Sequence, residues 1–117
     1  MTTLQTGKLV PNLTITPYTG APQALWDFRQ KSHVVVIYDP QAKPGIVAHW
    51  QAAIDADRPQ WSWLNVTVLI AKAVSEPLEP GVYAIDRYGE FMTTLPLAHW
   101  SFDTLEKEFI YYEACHC

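Results

Sequence analysis

His33-Val34-Val35-Val36-Ile37-Tyr38-Asp39-Pro40-Gln41-Ala42-Lys43-Pro44-Gly45 is the stretch that decides the fold. Val34 to Tyr38 is apolar at consecutive positions, the pattern of a strand covered on both faces. Burying each such side chain stabilises a fold by about 1.5–3 kcal/mol, so a charge at Val36 is expected to unfold the domain. Asp39-Pro40 breaks the strand, and a short polar loop leads to Pro44, favoured in a first helical turn where its missing N–H costs nothing. From Pro44 to Asp57, Ile46 or Val47, Trp50 and Ile54 recur at three- and four-residue spacing, with Ala53 beside them. Arg58-Pro59 ends that pattern, and Val66 to Ala71 reads as a second buried strand. Strand, helix and strand make a βαβ unit with parallel strands and a right-handed crossover.

Working outward, Gly7 to Asn12 is a punctuated lead-in, and Leu13 to Thr16 alternates before Pro17, as a short edge strand does. Tyr18 to Pro22 is a turn, and Gln23 to Arg29 is a short helix or irregular segment packing Leu25, Trp26 and Phe28 on the sheet. Trp61 to Leu64 reads as one turn closing an end of the core, and Lys72 to Pro80 as a loop. Val82 to Ile85, the turn Asp86-Arg87-Tyr88-Gly89 and Glu90 to Thr94 make a β-hairpin. Ser101 is a good N-cap, with Asp103 in the first turn. Phe102, Leu105, Phe109 and Tyr112 then share one face of a helix reaching about Ala114. Residues 1–117 form one α/β domain.

Composition narrows the function classes. The chain is 49% hydrophobic and 17% charged, which favours a packed core over disorder. Its net charge is −4 and no stretch clusters Lys and Arg, which argues against nucleic-acid binding. No apolar run approaches the ~20 residues needed to cross a bilayer, and the N-terminus lacks the pattern of a signal peptide. The expectation is a soluble cytoplasmic protein with no nucleic-acid or membrane partner. Both cysteines lie at 115 and 117, too close to the end to staple a fold.

The order β, βαβ, ββα resembles the thioredoxin-like superfamily, and within it the redoxin branch of the alkyl hydroperoxide reductase/thiol-specific antioxidant (peroxiredoxin) type. Gly7-x-x-x-Pro11-Asn12-Leu13-Thr14-Ile15, then Gly20, then Leu25-Trp26-Asp27-Phe28-Arg29 resemble that branch's opening. Val34 to Tyr38 resembles its core strand, and Pro80 to Phe91 its hairpin. The resemblance implies a three-layer fold, a central mixed sheet flanked by helices. The helix usually found between the second parallel strand and the hairpin is shortened or missing here. It also implies an active-site loop after the core strand, over Asp39, Pro40, Ala42, Lys43, Pro44, Gly45 and Val47. Against a thioredoxin Cys-Gly-Pro-Cys turn, Pro44 matches while Ala42 and Gly45 stand at the cysteine positions. Against a peroxiredoxin Pro-x-x-x-Thr-x-x-Cys motif, Pro40 matches, Pro44 replaces the threonine and Val47 the peroxidatic cysteine. The family's cis-proline before the hairpin corresponds to Pro80.

The remaining candidates for chemistry are few. Cys115-His116-Cys117 is the only cluster of soft ligands: exposed thiols at a chain end, a reversible disulfide, or part of a metal site that needs further ligands. After a helix C-terminus, beside Glu113, a thiol is not activated by the helix dipole. His33, His49 and His99 are scattered and read as structural or surface residues. Asp39 and Asp86 could meet as a carboxylate pair, although turn and cap roles account for both. Trp61, Trp63, Trp100, Tyr111 and Tyr112 are either core filling or an exposed partner surface, with the aromatic C-terminal helix as the expected homodimer edge. The expected function is a thioredoxin-fold binding or regulatory module without the usual redox motif, requiring no cofactor and acting on a protein partner. The alternatives are a thiol–disulfide or peroxide oxidoreductase using Cys115 and Cys117, and metal binding by the same tail.

Overall fold

A computed structural model describes residues 4–115. Its elements run β1 (Thr14–Pro17), β2 (Gln23–Ala24), a 3-10 turn (Leu25–Phe28), β3 (His33–Tyr38), α1 (Pro44–Ala56), α2 (Arg58–Leu64), β4 (Val66–Val74), β5 (Gly81–Ile85), β6 (Phe91–Leu95) and α3 (Phe102–Cys115). One mixed six-stranded sheet has the order β2-β1-β4-β3-β5-β6. β3 and β4 are parallel in register from His33↔Val66 to Tyr38↔Ala71, while β5 lies antiparallel to β3, from Val34↔Ile85 to Tyr38↔Gly81. The βαβ unit and the hairpin are thus as the sequence predicts.

β3 is apolar throughout because it has two covered faces. Val34 and Val36 point into a core with Val10, Leu13, Ile15, Leu25, Leu78 and Phe91. Val35 and Ile37 point the other way, to Ile54, Trp61, Leu64, Leu105 and Phe109. All three helices pack on this second face. The first face is covered by the N-terminal segment, the 3-10 turn and Leu78 of the loop between β4 and β5. That loop passes directly to the hairpin without a helix, as expected from its length and prolines.

Four local readings are corrected. β1 is not the edge strand: the two-residue β2 pairs outside it through Thr14↔Ala24 and Ile15↔Gln23. Trp61 to Leu64 belongs to a seven-residue helix, α2, whose Pro59 sits in its first turn and whose end is capped by Asn65 in the left-handed region. β4 continues to Val74 because β1 pairs with its second half. Pro80 is not a cis-proline, since no peptide bond among the described residues is cis. Ser101 does cap α3, its hydroxyl accepting the Thr104 N–H at 3.1 Å.

Candidate functional site

The loop between β3 and α1 sits at the end of the sheet where β3 and β4 finish. Asp39 leaves β3 with its N–H still bound to the Ala71 carbonyl, and its carboxylate accepts the Gln41 N–H at 3.0 Å, closing an Asx turn. Tyr18, just past β1, reaches across to hold the loop: its hydroxyl donates to the Asp39 carbonyl and accepts the Ala42 N–H at 3.1 Å. Lys43 precedes α1 without a side-chain cap, and Pro44 and Gly45 open the helix, all three exposed. Pro80 precedes Gly81, the residue paired with Tyr38, so the register sets Pro80 beside Asp39 at the same end. Tyr83, whose hydroxyl donates to the Glu79 carbonyl, has its phenol pKa pushed up by burial and by the negative charge of Glu79. A mostly apolar cleft of about 390 Å³ flanks the loop, lined by Tyr18, Thr19, Ala42, Pro44, Val47, Ala48 and Gln51. The loop residues and Pro80 thus lie at one end of the sheet, and the loop is held by Tyr18, a tyrosine with no local signal in the sequence.

The other end of the sheet holds a polar network. His33 is fully buried, its ring lying between a tilted Phe109 and an edge-on Tyr112 with centroids 5.2 Å from each. Arg87 N–H donates to His33 Nδ1 at 3.0 Å, so Nδ1 is the acceptor and Nε2 carries the proton. Nε2–H then donates to Glu113 Oε1 at 2.7 Å, and Arg87 Nη1 donates to the same oxygen at 3.1 Å. Asp86 organises the hairpin turn: Oδ1 accepts the N–H groups of Tyr88 and Glu90, and Oδ2 accepts the Tyr112 hydroxyl at 3.2 Å. Burial, with the adjacent Asp86 carboxylate, pushes the Tyr112 phenol up to about 12. The sequence reads His33 as a structural or surface residue, and its burial makes it structural. Its partner lies 80 positions away, and the signal available was a polar residue at the entrance of an all-apolar strand.

Asp39 and Asp86 do not form a carboxylate pair. They stand at opposite ends of the β3–β5 ladder, about 20 Å of strand apart at ~3.3 Å per residue. His49 and His99 are exposed. The side chain of Cys115, and His116 and Cys117 altogether, lie outside the described residues. Backbone position 115 ends α3 two residues after Glu113, at the His33 end of the sheet. Among the described residues no group of three His, Cys, Asp or Glu is placed to hold a metal ion. The aromatic candidates divide: Trp61 is core, whereas Trp63 and Tyr111 are about three-quarters exposed, at 74% and 70%.

The architecture is a thioredoxin-like fold. Within that class it takes the form seen in peroxiredoxins: reduced 2-Cys peroxiredoxin from Plasmodium vivax superposes with a TM-score of 0.72, at 14% sequence identity, covering 94% of this chain and 97% of that one. A thioredoxin-like protein from Neisseria meningitidis superposes with a TM-score of 0.57 at 13% identity, covering 88% of each chain. No family model and no curated protein matches the sequence. At these identities the likeness is one of fold.

Proposed function

We propose that this chain is a non-catalytic thioredoxin-fold module that binds a protein partner at the loop end of its sheet, in a reducing cytoplasm. The observation that carries the reading is the Ala42-Lys43-Pro44-Gly45 turn. It occupies the strand-to-helix junction, is braced by the Tyr18 hydroxyl, and carries no cysteine. An apolar cleft beside a fixed loop suits recognition of a partner side chain. The test is insulin reduction with dithiothreitol and peroxide consumption with a thioredoxin system. The expected result is a rate equal to buffer; robust turnover abolished by Cys115→Ser would overturn the reading.

That overturning result would install the second reading, a thiol-dependent oxidoreductase. One fact favours it: both cysteines of the chain lie two residues apart. A disulfide across one residue is strained and easily reduced, and a helix C-terminus holds a thiol in its protonated form. We also propose self-association through α3, on the exposure of Ile110 and Tyr111 and of Trp63 on neighbouring α2.

A further inference from the structure

β4 is nine residues long and β1 only four, so among the described residues four positions of β4, Val66–Leu69, have no strand beside them on one side. The pairing runs Ile15↔Val74, Thr16↔Ala73, Pro17↔Ala71, and ends where Tyr18 N–H reaches the Ile70 carbonyl at 3.0 Å. Beyond it the chain turns away at Thr19 and Gly20, the latter at φ +99°. On the opposite side, the carbonyls of Asn65 and Ala71 accept the N–H groups of His33 and Asp39. Odd-numbered residues of this stretch therefore face β3. Ile70 faces the β1 side, and so by alternation do the backbone N–H and C=O groups of Val66 and Val68. Among the described residues no strand pairs with them. This open edge coincides with a cleft of about 440 Å³ lined by Val66, Thr67 and Val68 along the strand and by Gln51, Arg58 and Ser62 across from it.

We propose that the Val66–Leu69 edge binds an extended segment of a partner polypeptide as an added strand, continuing the track of β1. Backbone hydrogen bonds to Val66 and Val68 supply the pairing, as in other cases of strand addition. The free stretch accommodates roughly three to four residues at ~3.3 Å each. Charge sets the partner's chemistry. Arg58 is the one ionisable residue lining the cleft, and its side chain is 64% exposed. Asp55 stands beside it, bound by both Arg58 and Gln51, and those bonds hold its carboxyl below the usual range. The guanidinium's five N–H donors leave room for a second carboxylate, so the segment carries an Asp or Glu opposite Arg58. The cleft adjoins the one beside the loop, with Gln51 lining both, but the Val66–Leu69 backbone edge is not part of the loop face proposed above, and the amide and Arg58 readouts test it separately.

The test is selection of random linear heptapeptides against the immobilised protein, followed by amide spectra and hydrogen exchange with the synthesised winners. Enriched peptides are expected to carry an acidic residue within a β-branched stretch and to slow exchange of the Val66 and Val68 amides. N-methylation at alternate peptide positions should abolish binding. Arg58→Glu, on the surface, should weaken it tenfold or more while leaving the protein's spectrum otherwise unchanged. No enrichment over the unselected library would overturn the proposal. So would winners that leave the Val66 and Val68 amides at their free exchange rates, unchanged affinity in Arg58→Glu, or a protein dimer in which those two amides are already protected.

Discussion

Glu113→Ala tests whether the polar network fastens the last turn of α3 to the sheet. The substitution removes the acceptor of His33 Nε2–H and the partner of the Arg87 guanidinium. The two losses differ in kind. His33 is fully buried, so its N–H is left without water or partner, which costs about 1–3 kcal/mol. The Arg87–Glu113 pair is partly solvated, with side chains 29% and 36% exposed, and adds no more than about 0.5–1 kcal/mol. The sum centres on about 2.5 kcal/mol, which in a domain of this size lowers the melting temperature by roughly 8–12 °C. Urea unfolding followed by tryptophan fluorescence reads it as a lower midpoint with unchanged slope. Glu113→Gln keeps an acceptor oxygen and should lose only about a third as much. In a His33→Leu background, Glu113→Ala should cost no more than about 1 kcal/mol, the worth of the Arg87 pair alone, because the orphaned donor is gone. A loss below ~0.5 kcal/mol for Glu113→Ala in the wild-type background, or equal losses for Ala and Gln, would refute the assignment of Nε2–H as a buried donor to Glu113.

Tyr18→Phe keeps the ring in the core but removes both bonds to the loop; it should cost about 1–2 kcal/mol and speed exchange of the Ala42 amide, and an unchanged exchange rate would show that the loop holds itself. The raised phenol of Tyr112 gives a pH dependence. Its folded value of about 12 lies above the ordinary 10.0, so the native state keeps a proton that the unfolded chain loses. Stability from this group is present below pH 10 and is lost as pH rises through about 12, and Tyr112→Phe should flatten that decline in alkaline unfolding curves. Self-association through α3 predicts a mass above the monomer by light scattering at high concentration, falling toward the monomer in Tyr111→Glu; a monomeric wild type would count against it.

What the sequence disclosed follows from the range of the interactions involved. β3 was legible because two covered faces leave no polar position, and α1 because Trp50 and Ile54 repeat at helical spacing. The hairpin was legible from Asp86-Arg87-Tyr88-Gly89: Asp86 bonds within the turn, and Gly89 adopts φ +85° with Arg29 packed where a Cβ would sit. Strand order was not legible. β2 is two residues long, and its pairing follows the hairpin-like return of the chain after Gly20. Trp61 and Trp63 look alike in sequence, yet α2 turns the first into the core and the second into solvent. The loop residues 39–47 were found by their place after the core strand. Tyr18 was not, since its bonds span 21 and 24 positions. For His33 the only local sign is a polar residue at the entrance of an apolar strand; its pairing with Glu113, 80 residues away, is made by the fold alone.

β3 also serves as a ruler for function. Tyr18 braces the loop at its Tyr38 end, and Glu113 clamps α3 at its His33 end, about 16 Å of strand away. No residue belongs to both networks. The cleft beside the loop and the end of α3 from which Cys115-His116-Cys117 continues are therefore separate places on one chain. Energetically the two ends should be additive: Tyr18→Phe combined with Glu113→Ala should lower stability by the sum of the single losses to within about 0.5 kcal/mol. A larger deviation would mean that β3 transmits strain between its ends, and the loop could then no longer be treated as independent of the helix that carries the cysteines.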